Sequence, residues 1–222
     1  MSSIAPTPRT QVRRLPKRGV YDTEQIYAIL NEGFLCHVGF VQDQQPFVIP
    51  TLFVRCGDTL YLHGSAASRM LKTAGEGVDI CVTVTLLDGF VLARSVFHHS
   101  MNYRSVVVLG KARLVTEIEE KSRALHAFTD KIARDRWGEA RTPTEQEYKA
   151  TNVLAIPIQE ASAKVRTGPP LDDEEDYSLA LWAGVVPVRM SVGIPQSDGR
   201  VLEGVAPFDT GRLCTERKPG RV

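Results

Sequence analysis

The chain has 222 residues, 43% of them hydrophobic and 24% charged, enough for one well-filled core without disulfides or a structural metal. Its 27 basic and 26 acidic side chains leave a formal charge of +1, so no global field draws nucleic acid or an anionic membrane, and neither is expected as a partner. No stretch approaches the ~20 apolar residues of a membrane span. Cys36, Cys56, Cys81 and Cys214 form no C-x-x-C pair, which argues against a zinc knuckle or dithiol motif and fits a reducing cytoplasm.

Residues 1–18 carry Arg9, Arg13, Arg14, Lys17 and Arg18 among three prolines and few bulky apolar residues. That composition predicts a flexible basic arm, solvated or wrapped on a partner subunit, and it lacks the apolar run of a secretory signal. The folded domain is expected over residues 19–190, with a loop-like extension over residues 191–222. Asp22-Thr23-Glu24-Gln25 is an N-cap with a residue at N3 able to bond back, and Ile26, Ile29 and Leu30 follow at helical spacing up to Gly33. Residues 34–41 and 46–54 form strands around the polar turn Gln42-Asp43-Gln44-Gln45, and Cys56-Gly57-Asp58 turns the chain into Leu60-Tyr61-Leu62.

A short helix is expected over residues 68–74, opened by Ser65 or Ser68, followed by long strands over residues 78–87, 90–97 and 103–115. Asp88-Gly89 is a two-residue hairpin signal, since such turns need positive φ at both central positions. Residues 117–137 place Ile118, Leu125, Phe128 and Ile132 on one helical face, and residues 153–158 return as a strand. Asp172-Asp173-Glu174-Glu175-Asp176, after Gly168-Pro169-Pro170, is expected to be a solvated acidic turn. Short strands joined by turns, with helices at the periphery, predict a mainly β, α+β chain built on an antiparallel barrel. Neither G-x-G-x-x-G nor G-x-x-x-x-G-K-[ST] is present, so both common nucleotide folds lack their fingerprint.

Two polar islands follow apolar segments. One is His63-Gly64-Ser65-Ala66-Ala67-Ser68-Arg69, and the other runs over residues 94–104 and includes Arg94, His98, His99, Asn102, Tyr103 and Arg104. Hydroxyls and N–H groups at a helix start, completed by a guanidinium, suit an anionic phosphate, so Ser65, Ser68 and Arg69 are candidates for one; a plain helix cap is the alternative for the serines. Val48-Ile49-Pro50-Thr51-Leu52 is extended and interrupted by proline, which marks either a sheet edge or a segment offering polar groups to a ring. Lys164 and Arg166 flank Val165 and so share one side of a strand. Adjacent His98 and His99 point to opposite faces of a strand, which disfavours a shared metal ion.

In order and spacing, Leu62-His63-Gly64-Ser65, Val82-Thr83-Val84-Thr85, Val91-Leu92-Ala93-Arg94-Ser95, Asn102-Tyr103-Arg104-Ser105-Val106 and Ala163-Lys164-Val165-Arg166 resemble the flavin mononucleotide-binding split β-barrels related to pyridoxamine 5'-phosphate oxidase. The likeness covers residues 18–189 and is nearest the branch that includes nitroimidazole-resistance proteins. It implies an antiparallel split barrel and a homodimer with FMN at the interface. It also implies a phosphate on Ser65, Ser68 and Arg69, an isoalloxazine against Ile49, Pro50, Thr51 and Leu52, and a cofactor contact from His63. Arg94, Lys164 and Arg166 become candidates for the ring edge that gains negative charge on reduction, as does Lys111, and Asn102, Tyr103 and Arg104 for the substrate side or the partner's flavin. Residues 214–222 do not match the basic substrate-phosphate motif of true pyridoxamine oxidases, so vitamin B6 oxidation is not expected.

The resulting expectation is an FMN-dependent oxidoreductase passing electrons from a nicotinamide or other reductant to a small-molecule acceptor. Two rivals stand beside it: a haem-binding or haem-degrading split barrel using His63 or His98, and a non-catalytic flavin carrier or sensor.

Overall fold

The computed structural model describes residues 2–213, so Cys214 and the rest of residues 214–222 lie outside it. Ten strands form one antiparallel sheet that curls into a split barrel without closing. They are β1 (Gly19–Val20), β2 (Leu35–Gln42), β3 (Gln45–Cys56), β4 (Thr59–Ser65), β5 (Asp79–Leu92), β6 (Ser100–Lys111), β7 (Arg113–Leu114), β8 (Thr151–Pro157), β9 (Glu160–Arg166) and β10 (Gly184–Pro187). The order is β1-β9-β6-β5-β2-β3-β4-β8-β7, with β10 added along β5. Helices α1 (Thr23–Glu32), α2 (Arg69–Gly75), α3 (Ile118–Ile132), α4 (Arg136–Glu139) and α5 (Glu145–Ala150) sit at the periphery.

Period-two alternation sends Cys36, Val38 and Phe40, Ile80, Val82 and Val84, and Val106 and Val108 into the barrel, where they meet Ile26, Ile29 and Leu30 of α1. The Asp22 carboxylate caps α1 by accepting from the Gln25 N–H at 2.9 Å. A second, smaller core lies outside the barrel, where Ala124 of α3 packs with Val115, Val153 and Ala155, and Tyr61 and Leu125 close over it. The Tyr61 hydroxyl donates to Glu120 at 2.8 Å, pinning α3 to β4, and burial together with this bond pushes the phenol up to about 12.

Four sequence expectations are corrected. Asp88-Gly89 is no hairpin turn: β5 runs through it and stays paired with β6, with only a bulge between Leu87 and Gly89. A Cβ at Gly89 would stand 2.9 Å from the Val186 carbonyl oxygen, so glycine is required by the close approach of β10. The long helix ends at Ile132, and it buries Ala124 and Phe128 while Ile118 and Ile132 stay exposed, because α3 rests on the barrel along a narrow stripe. The expected solvated acidic turn is docked, with the Asp172 side chain fully buried. Residues 2–18 are held against the domain: Ser3 bridges Asp22, the Val12 N–H donates to the Tyr21 hydroxyl at 2.8 Å, Thr10 is buried and Arg9 pairs with Glu160.

The β2–β3 hairpin turns at Asp43 (φ 50°) and Gln44 (φ 63°), a left-handed pair that favours glycine at the second position. Replacing Gln44 by glycine removes that penalty, so Gln44→Gly is expected to raise stability by about 0.5–1 kcal/mol, read as a higher urea midpoint at unchanged slope. A lowered midpoint would contradict this turn geometry.

Candidate functional site

The face of β9-β6-β5-β2-β3 that points away from the core carries the first region. In register across it lie Ser162, Val107, Thr83, His37 and Pro50. His37 and Pro50 are exposed, and Leu35, Val41 and Val48 beside them are 52%, 56% and 64% exposed, an aliphatic surface on a sheet that is well packed on its other side. Of the β3 candidates, Pro50 and Leu52 take this outward face. Ile49 packs against the barrel core, and Thr51 pairs in register with buried Cys36. Lys164 and Arg166 lie on the outward side of β9, four strand spacings from β3, or about 19 Å.

The first polar island meets β3 on its other side, the one that carries Phe47 and Ile49. Ser65 accepts the Ala67 N–H at 3.2 Å, the Ser68 side chain makes no cap bond to α2, and the exposed Arg69 guanidinium lies 4.2 Å from the centre of the Phe47 ring of β3. Ser68 and Arg69 therefore keep donors that the helix does not use, beside the strand that carries Pro50 and Leu52.

The other candidates are engaged within the chain. Arg104 donates to Asp88 at 2.9 and 2.8 Å and to Glu32 at 2.5 and 2.8 Å, so its guanidinium joins β6, the β5 bulge and the end of α1. Those bonds, to Asp88 first and Glu32 second, raise its pKa further. Arg166 donates to the Asn102 side-chain oxygen, and Asn102 donates to the Gly168 carbonyl at 3.1 Å; burial and nearby Arg18 hold the guanidinium below its usual range. Tyr103 pairs in register with Arg166 at the same end of β6. Arg94 pairs with Asp172 at 3.2 Å and lies over the Tyr177 ring at 4.9 Å. Lys111 is spent on an exposed pairing with Asp79 at 4.0 Å.

His63 belongs to a second region. It lines a cavity of about 320 Å³ on the outward side of β4, under α3 to α5, with Leu125, Thr129, Trp137, Arg141 and Pro143. Its ring meets Phe128 at 4.2 Å between centroids, its Nδ1 is buried without a hydrogen-bond partner, and burial pushes its pKa down. The sequence reading missed His37 and Thr83. The alternation of Leu35, His37, Gly39 and Val41 against buried Cys36, Val38 and Phe40 is the signal that marks His37 as outward.

The comparisons agree with this architecture. The model of the pyridoxamine 5'-phosphate oxidase family matches residues 22–165. The chain belongs to that family. Among solved structures, it is similar to the flavocytochrome Anf3 from Azotobacter vinelandii at 46% identity and a TM-score of 0.87, over 93% of this chain and 95% of that one. It is also similar to the FAD- and haem-binding protein from Mycobacterium smegmatis, at 34% identity and a TM-score of 0.83, over 88% and 97% of the two chains. A third match, described as a 5-nitroimidazole antibiotic resistance protein from Bacteroides thetaiotaomicron, has 25% identity and a TM-score of 0.55 over 66% and 86%. No curated protein sequence matches the chain. No helix among the described residues is long and apolar enough to cross a membrane.

Within this family member, the acidic segment acts as a clasp on the second polar island. Asp172 accepts the N–H groups of Arg94 (2.9 Å) and Ser95 (3.3 Å) as well as the Arg94 guanidinium. Burial opposes its charge, but the Ser95 and Arg94 donors outweigh burial and hold the carboxyl below its ordinary value. Docking is thus fully supported above the ordinary aspartate value of about 3.9 and weakens as pH falls through the depressed native value. Hydrogen exchange over residues 171–178, corrected for intrinsic rate, is expected to quicken in acid below that point. Asp172→Asn is expected to loosen the same segment at neutral pH; unchanged protection in both cases would contradict the clasp.

Proposed function

We propose that the chain is a flavin-binding redox protein that works as a homodimer, with the flavin against the outward face of β3 and its phosphate on Ser65, Ser68 and Arg69. The observation that carries this reading is 46% identity over 93% of the chain to a protein named as a flavocytochrome. A flavin supplies hydride and electron transfer at its ring, so the chain's own residues bind, orient and tune. In this reading Ser68 and Arg69, whose donors the helix leaves unused, take the phosphate. Pro50, with no N–H to give the ladder, keeps the edge of β3 open to the ring, and Leu52 forms its apolar wall.

Lys164 and Arg166 share the face but stand about 19 Å from β3, further than one isoalloxazine reaches. This separation favours a site completed by the second copy, whose β9 would bring its cations to the first copy's ring. The uncovered aliphatics Leu35, Val41 and Val48 supply the apolar area for that association. Electrons would pass from a nicotinamide or other reductant to a small-molecule acceptor.

A second prosthetic group is part of the reading. The 46% and 34% identical relatives are named as a flavocytochrome and as an FAD- and haem-binding protein, which favours haem beside flavin in this chain as well. FMN is the unit the proposed phosphate site accounts for, and the mass of the flavin released from purified protein distinguishes it from FAD.

Arg69→Ala is expected to weaken FMN binding by about 1.5–3 kcal/mol, the worth of a hydrogen bond to a charged group, and to leave riboflavin binding unchanged. Titration of both ligands into the flavin-free protein reads the difference. Equal losses for the two would place Arg69 away from the phosphate.

A further inference from the structure

We infer that the segment from Arg189 to Pro207 is an arm that one copy of the chain lays across the outward β2–β3 face of a second copy. This rests on the homodimer of the reading above and says which part of the chain reaches across. Every residue of the segment is exposed, and a Cβ added at Gly193, Gly199 or Gly204 would meet nothing within 4 Å. Its hydrogen bonds are local: the Arg200 N–H donates to the Asp198 carboxylate at 2.8 Å, and the Val205 N–H to the Leu202 carbonyl at 3.3 Å. The segment thus stands clear of its own domain.

A loop that only faces water is built from turn-forming and polar residues. This one carries Met190, Val192, Ile194, Val201, Leu202 and Val205, with Ile194 91% and Leu202 78% exposed. Scattered exposed aliphatics are ordinary, but so many in one short arm form a surface that calls for cover.

Both feet of the arm stand at one corner of the molecule, the end of α1. At the first foot β10 runs along β5 from Leu92 to Gly89, and β2 takes up the same edge of β5 at Val84. There the Val188 N–H donates to the Asp88 carbonyl at 3.1 Å, and Arg104 joins the Asp88 carboxylate to Glu32 of α1. At the second foot Leu213 bridges Ala133, and Lys131 just before it donates to the Leu30 and Asn31 carbonyls of α1 at 3.1 and 3.3 Å. From that corner the chain enters β2 at Leu35, so the arm rises from the rim of the uncovered face.

The arm does not lie on its own copy's face, since Leu35, Val41 and Val48 are more than half exposed with the arm in place. Folded back on itself, an extended segment of this length reaches about 30 Å. The run from Leu35 to Val41 measures about 20 Å, so the arm is long enough to cross it. Charge does not oppose the contact: Arg189 and Arg200 balance Asp198 and Glu203, and the outward positions from Leu35 to Val41 and from Pro46 to Pro50 carry no acidic, lysine or arginine side chain. In a two-fold dimer each arm meets the other copy's face, so a single kind of contact covers both bare surfaces on both copies. This reciprocity is what selects a second copy as the occupant.

The test is a photocrosslinker at the arm, Ile194→benzoylphenylalanine, in the full-length flavin-loaded protein. Irradiation is expected to give a covalent species of twice the 24.6 kDa chain mass, with the joined peptide falling within residues 35–50. The double substitution Ile194→Asp with Leu202→Asp, at exposed sites on which the fold does not depend, is expected to raise the dimer dissociation constant by about a hundredfold or more, because each change acts twice across the axis. Circular dichroism should stay that of the unaltered protein. A crosslink confined to one chain, one that maps outside residues 35–50, attachment only to a foreign protein, or no crosslink at all would overturn the inference, as would an unchanged dimer affinity in the double variant. Sedimentation of the unaltered, flavin-loaded protein as a monomer would instead sink the homodimer reading itself, and this inference with it.

Discussion

A β-sheet has two faces, and this chain covers both only over part of its sheet. The inward face of β9-β6-β5-β2-β3 closes on a core fed by α1, and the outer flank of β4 and β8 is roofed by α3. At its β2–β3 end the outward face of the five-stranded part receives no such roof, although Leu35, Val41 and Val48 stand on it. Leaving that aliphatic area wet forfeits about 25 cal/mol for each Å² of apolar surface, which gives association and cofactor binding their driving force. The flavin reading, the dimer and the roofed cavity at His63 all follow from where cover is supplied and where it is withheld.

Charge is spent on joining elements at the rim of this layout. Arg104 ties α1 to the β5 bulge through Glu32 and Asp88, and Asp172 fastens the segment after β9 to the loop between β5 and β6. Removing one partner from such a half-buried cluster strands the others, which costs far more than a surface pair is worth. The cations left outside these clusters matter more for ligands. Arg69, stacked on Phe47 and unused by α2, is the one at the proposed phosphate site.

Most of the strand pattern was legible in the sequence, because the alternation of small apolar residues in residues 34–41 and 78–87 has a period of two and the Asp22 cap opens a clear helical stripe. What failed had physical reasons that sit far away along the chain. Asp88-Gly89 reads as a turn locally, but Arg104 holds the aspartate and the approach of β10 demands the glycine. The acidic run reads as solvated because its partners, Arg94 and Ser95, lie more than seventy residues earlier. The candidate site was legible as a set of residue types and only partly as a place. Arg104 and Arg94 resemble ligands in sequence and are paired with carboxylates in the structure, while His37 was passed over because a lone histidine in a strand carries no local signal. His63 was singled out beside a helix start, and only the fold shows that it lies under α3, in a cavity.

The central claim is that the uncovered sheet face holds the flavin between two copies of the chain. It is tested most directly by sedimentation, with detection at the flavin absorbance, of a variant that places a charge in the middle of that face and away from the proposed phosphate site, Thr83→Arg. The account predicts that the unaltered protein sediments at twice the 24.6 kDa chain mass with flavin bound, and that the variant sediments as a folded monomer that has lost it. A Thr83→Arg protein that remains a dimer with full flavin would contradict the account.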